Sequence, residues 1–209
     1  MRLKDILMPF VVILVVAIFI GALSLMQQRP FVAADAPAGS RQLEAINAGF
    51  QNFLERIPGS SMHEGKVILV HFWNPACLCN SVSMRHVRNI LATIPEAELR
   101  FIVLLPEGHD TGPNTRADIQ QEFGSEAIEV YAFESGDHIP LTASPGLAVF
   151  SPQASLAYYG AYGFGALCSL SEADLFTSMI ASLSEGNNYG PFINIAGSGC
   201  FCPWPGLAG

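Results

Sequence analysis

Apolar residues run almost unbroken from Ile6 to Met26, interrupted only by Pro9, Gly21 and Ser24. At about 1.5 Å per residue this stretch matches a hydrocarbon core ~30 Å thick and predicts one membrane-spanning helix. After a break the pattern turns amphipathic: Leu43, Ile46, Phe50, Phe53, Leu54 and Ile57 recur at helical spacing behind Ser40, a capping residue, and Pro58-Gly59 ends the run. Lys66 to Trp73 (KVILVHFW) is a short continuous run of β-formers, the mark of a strand covered on both faces. Val82, Val87, Ile90, Leu91 and Ile94 predict a helix over 79–94, closed by Pro95. Leu99 to Leu105 reads as a second buried strand, 115–123 as a short helix and 128–133 as a third strand. Gly146 to Phe150 and Leu156 to Tyr159 flank Ser151-Pro152-Gln153-Ala154, a turn with proline at its second position, and predict a hairpin. Ser171-Glu172-Ala173-Asp174 opens a last helix over 171–183.

Helix, strand, helix, strand, helix, strand, hairpin, helix is the order of a mixed α/β domain, with parallel crossovers first and an antiparallel pair at the end of one sheet. The chain divides into an anchor (1–26), a tether (27–39, QQRPFVAADAPAG), a folded domain (40–184) and a Gly- and Pro-rich tail (185–209) expected to be irregular. Arg2 and Lys4 precede the apolar stretch, so the positive-inside tendency sets the N-terminus in the cytoplasm of a bacterium. The domain then lies in the periplasm, anchored to the inner membrane through residues 6–26. Ala34-Asp35-Ala36 offers the alternative of a cleaved signal peptide, but the apolar core is longer than such peptides use.

Charge narrows the partners. The chain of 209 residues has 10 Lys and Arg against 18 Asp and Glu. Without residues 1–26, which hold Arg2, Lys4 and Asp5, 8 cations stand against 17 acids. An acidic surface so poor in lysine argues against nucleic acid. The glycines from Tyr159 to Gly165 follow a hairpin strand and have no lysine nearby, so they argue against a nucleotide site as well.

The chemistry rests on cysteines. Cys77-Leu78-Cys79 lies where the strand ending in Trp73 gives way to a helix; Cys200-Phe201-Cys202 lies in the tail, and Cys168 precedes the last helix. Unpaired N–H groups at a helix start favour an anion, so a Cys77 thiolate is stabilised there, and the thiolate is the species that attacks disulfides. A Cys77–Cys79 disulfide would close a very small, strained ring and be reduced readily, which favours an oxidant or isomerase. The tail cysteines are open to three uses: a disulfide to Cys77, Cys79 or Cys168, a second redox pair exchanging with the first, or thiolate ligands for copper(I) or zinc. One-residue spacing is a weak zinc signal, so no metal site is assigned and no cofactor is called for. Structural disulfides with no exchange chemistry are the remaining reading. His63, His86, His109 and His138 are taken as surface residues, and Cys168 as buried or bridged.

Phe72-Trp73, then three residues, then Cys77 resembles the thioredoxin family's strand and active-site turn, and the order of elements agrees over residues 40–184. The resemblance implies a thioredoxin-like α/β fold with a mixed central sheet and Cys77 as the nucleophile. Asn80 stands where the family has its resolving cysteine, with the second thiol one residue earlier at Cys79. Ser144-Pro145 resembles the family's cis-proline loop, which would leave the Ser144 backbone free to pair with an extended substrate strand beside Cys77. By the resemblance His71 takes the place of the family's buried proton-relaying acid, or else it is a histidine hydrogen-bonded in the core or partly exposed. The whole chain also resembles an uncharacterised bacterial group of single-span thioredoxin-like proteins with a Cys-Phe-Cys-Pro-Trp tail, which brings a fold and no assigned activity. The expected function is thiol-disulfide exchange with the thiols or disulfides of exported proteins, Cys77 attacking and Cys79 or a tail cysteine resolving. A copper chaperone or assembly factor, or a non-catalytic binding module, are the alternatives.

Overall fold

A computed structural model describes residues 3–26, 40–58, 65–137, 139, 141–162, 173–194 and 201–205. The predicted helices and strands form close to where the hydrophobic periodicity puts them. They are α1 (Leu3–Met26), α2 (Ser40–Arg56), β1 (Val67–Phe72), α3 (Asn80–Thr93), β2 (Leu99–Leu105), α4 (Pro113–Phe123), β3 (Glu129–Ala132), β4 (Ala143–Ser144), β5 (Gly146–Phe150), β6 (Leu156–Gly160) and α5 (Ala173–Ser184). Two short strands follow, β7 (Phe192–Asn194) and β8 (Cys202–Pro203).

Helix α1 exposes a continuous apolar surface that includes Phe10, Ile13, Ile18 and Phe19. Its side chains are described over 8–22, and among the described residues no helix is both long and apolar enough to cross a membrane.

The main sheet runs β3-β2-β1-β5-β6-β7. β1 lies at its centre, parallel to β2 and antiparallel to β5. All six residues of β1 are buried, because alternate side chains enter two separate cores. Ile68, Val70 and Phe72 join α2 on one face, whereas Val67 and Leu69 meet α3 and α5 on the other. On α2, Ile46, Phe50, Phe53 and Leu54 are wholly inaccessible, each worth about 1.5–3 kcal/mol relative to exposure. Arg56 then ties the end of α2 to the segment before β4. It forks onto Asp137 at 3.0 and 2.7 Å and reaches Glu134 at 2.7 Å.

The tail departs from its expected irregularity. β7 adds to the sheet edge parallel to β6. That contact requires glycine at position 160, where φ is +143° and a Cβ would lie 2.2 Å from the Asn194 carbonyl oxygen. β8 pairs antiparallel with β4 as a separate two-stranded sheet.

His86 is also corrected. It is 1% exposed, on the face of α3 shared with Ser83 and Ile90, and its ring centroid lies 5.6 Å from Tyr162 and 6.1 Å from Phe176. Helical spacing set this position on the buried stripe, although its polar side chain suggested the surface. His109 is exposed, as expected; His63 and His138 lie outside the described residues.

Candidate thiol-disulfide site

The end of β1 delivers the chain into a turn held by two asparagines. Asn74 Oδ1 accepts from the Ala76 N–H at 3.1 Å, the Cys77 N–H donates to the Asn74 carbonyl at 2.9 Å, and Asn80 Nδ2 donates to that same carbonyl at 2.9 Å. Asn80 thus stays buried at the position where a resolving cysteine was looked for, as a brace for the turn. Cys79 is the N-cap of α3, although its side chain does not cap the helix, and Cys77 lies two residues ahead of it. Between them, Leu78 is 95% exposed, whereas Cys77 and Cys79 are buried.

Cys77 is bonded to Cys202 of the tail, with Cα atoms 5.6 Å apart and a separation of 125 positions in sequence. Of the pairings that the sequence left open, this is the tail disulfide to Cys77 and not the small Cys77–Cys79 ring. Cys79 stands in the α-helical conformation at the cap, and β8 carries Cys202 into the turn from the opposite side. The case for an oxidising poise built on a small Cys-x-Cys ring lapses with that pairing. Cys79 is itself disulfide-bonded, so none of the three described cysteines is a thiol in this state. The sulfurs of Cys77, Cys79 and Cys202 nevertheless lie within 4.8 Å of one another. Cys168 and Cys200 lie outside the described residues.

The Ser144-Pro145 peptide is cis, as the sequence suggested. The Cys77 sulfur lies 3.7 Å from the Ser144 carbonyl oxygen; a disulfide sulfur has no proton to donate, so in this state the approach is a contact only. Ser144 is matched in register with Cys202, and Ala143 with Pro203. Beyond the pair, the Trp204 N–H donates to the Thr142 carbonyl at 2.9 Å, and Asn74 Nδ2 donates to the Pro203 carbonyl at 3.3 Å. Trp204 is buried against Phe72 and Phe133, with ring centroids at 6.3 and 6.4 Å, and its indole Nε1 has no hydrogen-bond partner among the described residues. The tail therefore pairs with the Ser144 backbone, where the thioredoxin resemblance implies an extended substrate strand.

His71 is fully buried on the α3 and α5 side of the sheet. Its Nδ1 is 2.7 Å from the Tyr162 hydroxyl, and its ring lies among Trp73, Phe101 and Phe123. Burial lowers its pKa to about 3, only partly offset by the Gly146 backbone, so the imidazole is neutral near pH 7.

Sequence reasoning singled out the two Cys-x-Cys units and the cis-proline loop but missed the Asn74 and Asn80 braces and the anchoring role of Trp204. Asparagines on both sides of Pro75-Ala76-Cys77-Leu78-Cys79 were the available signal, since asparagine is suited to bonding nearby backbone.

The central β1 with its cysteine turn, the crossovers and the cis-proline before β5 make the fold thioredoxin-like. It is similar to a hypothetical protein from Sinorhizobium meliloti 1021, at 13% identity over 72% of this chain and 85% of that one, with a TM-score of 0.51. It also shows similarity to a thiol-disulfide isomerase from Corynebacterium glutamicum (20% identity, 61% and 86% coverage, TM-score 0.44). A secreted Mycobacterium tuberculosis disulfide oxidoreductase is matched at 12% identity, 59% and 86% coverage and a TM-score of 0.42. Comparison with curated protein sequences finds no match. A family profile matches residues 47–204, from α2 to the anchoring Trp204, and on that match the chain belongs to the family described as a domain of unknown function, DUF6436.

Proposed function

We propose that this protein exchanges thiols and disulfides with exported polypeptides, Cys77 acting as nucleophile and Cys202 as the resolving cysteine. The observation that carries the reading is the Cys77–Cys202 bridge at the start of α3, beside the Ser144-Pro145 loop. With the bridge reduced by a dithiol donor, the Cys77 thiolate gains from the unpaired N–H groups at the α3 start. It attacks a substrate disulfide, forming a mixed disulfide and expelling one substrate thiolate. The Cys202 thiolate then attacks the Cys77 sulfur, releasing the second substrate thiolate and restoring the bridge. The substrate disulfide gains two electrons and two protons, and the cysteine pair loses them. The reverse sequence oxidises a substrate dithiol. The sulfur of Cys79, within 4.8 Å, offers the neighbouring disulfide as a second exchange partner.

The setting completes the proposal. Residues 6–26 anchor the chain in a bacterial inner membrane with the N-terminus cytoplasmic and the domain periplasmic, a compartment where disulfides form and persist. The apolar surface of α1 supports this placement.

Replacing Cys77 with Ser should abolish disulfide exchange with a model protein disulfide, read by gel shift of its alkylated thiols. Retained exchange would refute the role of Cys77. A second reading, as a carrier of a soft metal, is favoured by the three clustered sulfurs. Stoichiometric binding of copper(I) by the fully reduced chain, with no exchange activity, would select it.

A further inference from the structure

The contacts that hold residues 202–204 are those an incoming polypeptide would have to make. Three of them read only backbone: the register of Cys202 against Ser144, the Trp204 N–H on the Thr142 carbonyl, and Asn74 Nδ2 on the Pro203 carbonyl. Two read a side chain: the bond to Cys77, and the burial of an aromatic ring two residues later against Phe72 and Phe133. The residue between them, Pro203, is exposed and selects nothing. Strand addition of this kind takes its affinity from main-chain hydrogen bonds and its specificity from pockets for alternate side chains.

We propose that the tail is an internal stand-in for the substrate, and that the site selects extended polypeptides carrying a cysteine followed two residues later by tryptophan or another large aromatic residue. This deepens the exchange reading and rests on it. Tail and substrate compete for the same strand position on β4. Reduction of the Cys77–Cys202 bridge frees the tail to leave, the substrate pairs with Ser144 and forms its mixed disulfide with Cys77, and the returning tail both resolves that bond and displaces the product. The Cys202–Pro203–Trp204 segment thereby combines the resolving thiol with an expelling strand.

The test uses the full chain with Cys202→Ser, so that the tail is present but unbonded. The probe is a peptide of tail residues 201–205 with a glycine added in front, Gly-Phe-Cys-Pro-Trp-Pro, its cysteine capped as a thionitrobenzoate disulfide. The Cys77 thiolate attacks the peptide sulfur and the coloured thionitrobenzoate leaves with the bonding electrons. The Cys77→Ala, Cys202→Ser chain subtracts reaction at other cysteines. The tryptophan peptide should react at least tenfold faster than its alanine counterpart, and adding Trp204→Ala to the chain should raise that rate at least threefold by weakening the competitor. Rates for the two peptides within twofold of each other would overturn the proposal. If Cys202→Ser does not fold, the same peptides as free thiols are added to the bridged native chain and opening of the Cys77–Cys202 bond is followed, with the same tenfold and twofold criteria. Reaction with Ellman's reagent separates the two failures: a chain inert to it loses the exchange reading itself, whereas one that reacts but ignores the peptide's aromatic residue loses only this inference.

Discussion

Ser144 and Cys202 face one another across the antiparallel β4–β8 pair, and the sulfur of Cys202 is bonded to Cys77 at the end of the turn after β1. Residues 202 and 203 are thus stitched, through backbone and through sulfur, onto β4 and the turn that carries Cys77. In the loop-entropy description, a cross-link of this span stabilises by about 5 kcal/mol, with strain and residual unfolded structure reducing the figure. Noncovalent anchoring of the tail adds to it.

Trp204 is the noncovalent anchor. Trp204→Ala removes a buried indole from between Phe72 and Phe133. Core truncations of this size cost about 3–5 kcal/mol when the surroundings cannot collapse. A strand of only two residues at the tail can detach instead, so the expected global loss is smaller, about 1–3 kcal/mol by denaturant melts. The larger expected change is local: amide exchange at 201, 202 and 204 should speed up at least tenfold in the reduced protein, and unchanged protection there would show that the indole does not hold the tail.

His71 makes stability depend on pH in a stated direction. Its pKa is about 3 in the folded protein and 6.5 in the unfolded chain, so below 6.5 the unfolded state binds the extra proton. Its contribution is complete above pH 6.5 and is lost as pH falls toward 3, by about 1.4 kcal/mol per unit. A His71→Phe chain, which keeps an aromatic ring among Trp73, Phe101 and Phe123, lacks this term. The stability of the native chain relative to this variant should therefore fall by about 2 kcal/mol between pH 7.5 and pH 5. A constant difference across that range would mean that His71 takes up its proton as readily in the folded protein as in the unfolded chain.

The Arg56–Asp137 fork holds the segment leading to Thr142 and β4, and the Asp137 side chain is 3% exposed. Asp137→Ala removes the fork and leaves the Arg56 guanidinium only Glu134 and the Ala132 carbonyl, and should cost about 1–3 kcal/mol, a range lowered from that of a fully buried pair because Arg56 is partly solvated and keeps an ion pair. The rate of alkylation at Cys202 in reduced protein should rise as well, since the same segment supports the tail. Loss of stability without that increase would confine the fork to α2.

The sheet was legible from sequence because both its faces are covered: a strand buried on two sides appears as an almost continuous apolar run, as at Val67 to Phe72, interrupted by His71, and at Leu99 to Leu105, interrupted by Arg100. Cys77 was legible from its place just past the end of such a strand, and the cis-proline before Gly146 from the resemblance of Ser144-Pro145 to the thioredoxin family's loop. The partner of Cys77 was not, since a bond spanning 125 residues depends on where the tail folds and leaves no periodic trace. β8 was hidden for the same reason: its two residues carry a proline and no alternation, and they form a strand only because Ser144 offers an edge. His86 shows the converse limit, a polar residue that helix geometry places in the core beside Phe176.

The most direct test is equilibration of the native chain in thiol-disulfide buffers of graded potential, followed by acid quenching, alkylation and peptide mapping of the linkages. Exchange chemistry predicts that the peptide pair joined through Cys77 and Cys202 disappears and returns reversibly across potentials between about −180 and −300 mV while the fold persists. A Cys77–Cys202 linkage that stays closed until the chain unfolds, or a Cys77 bonded to Cys79 instead, would contradict it.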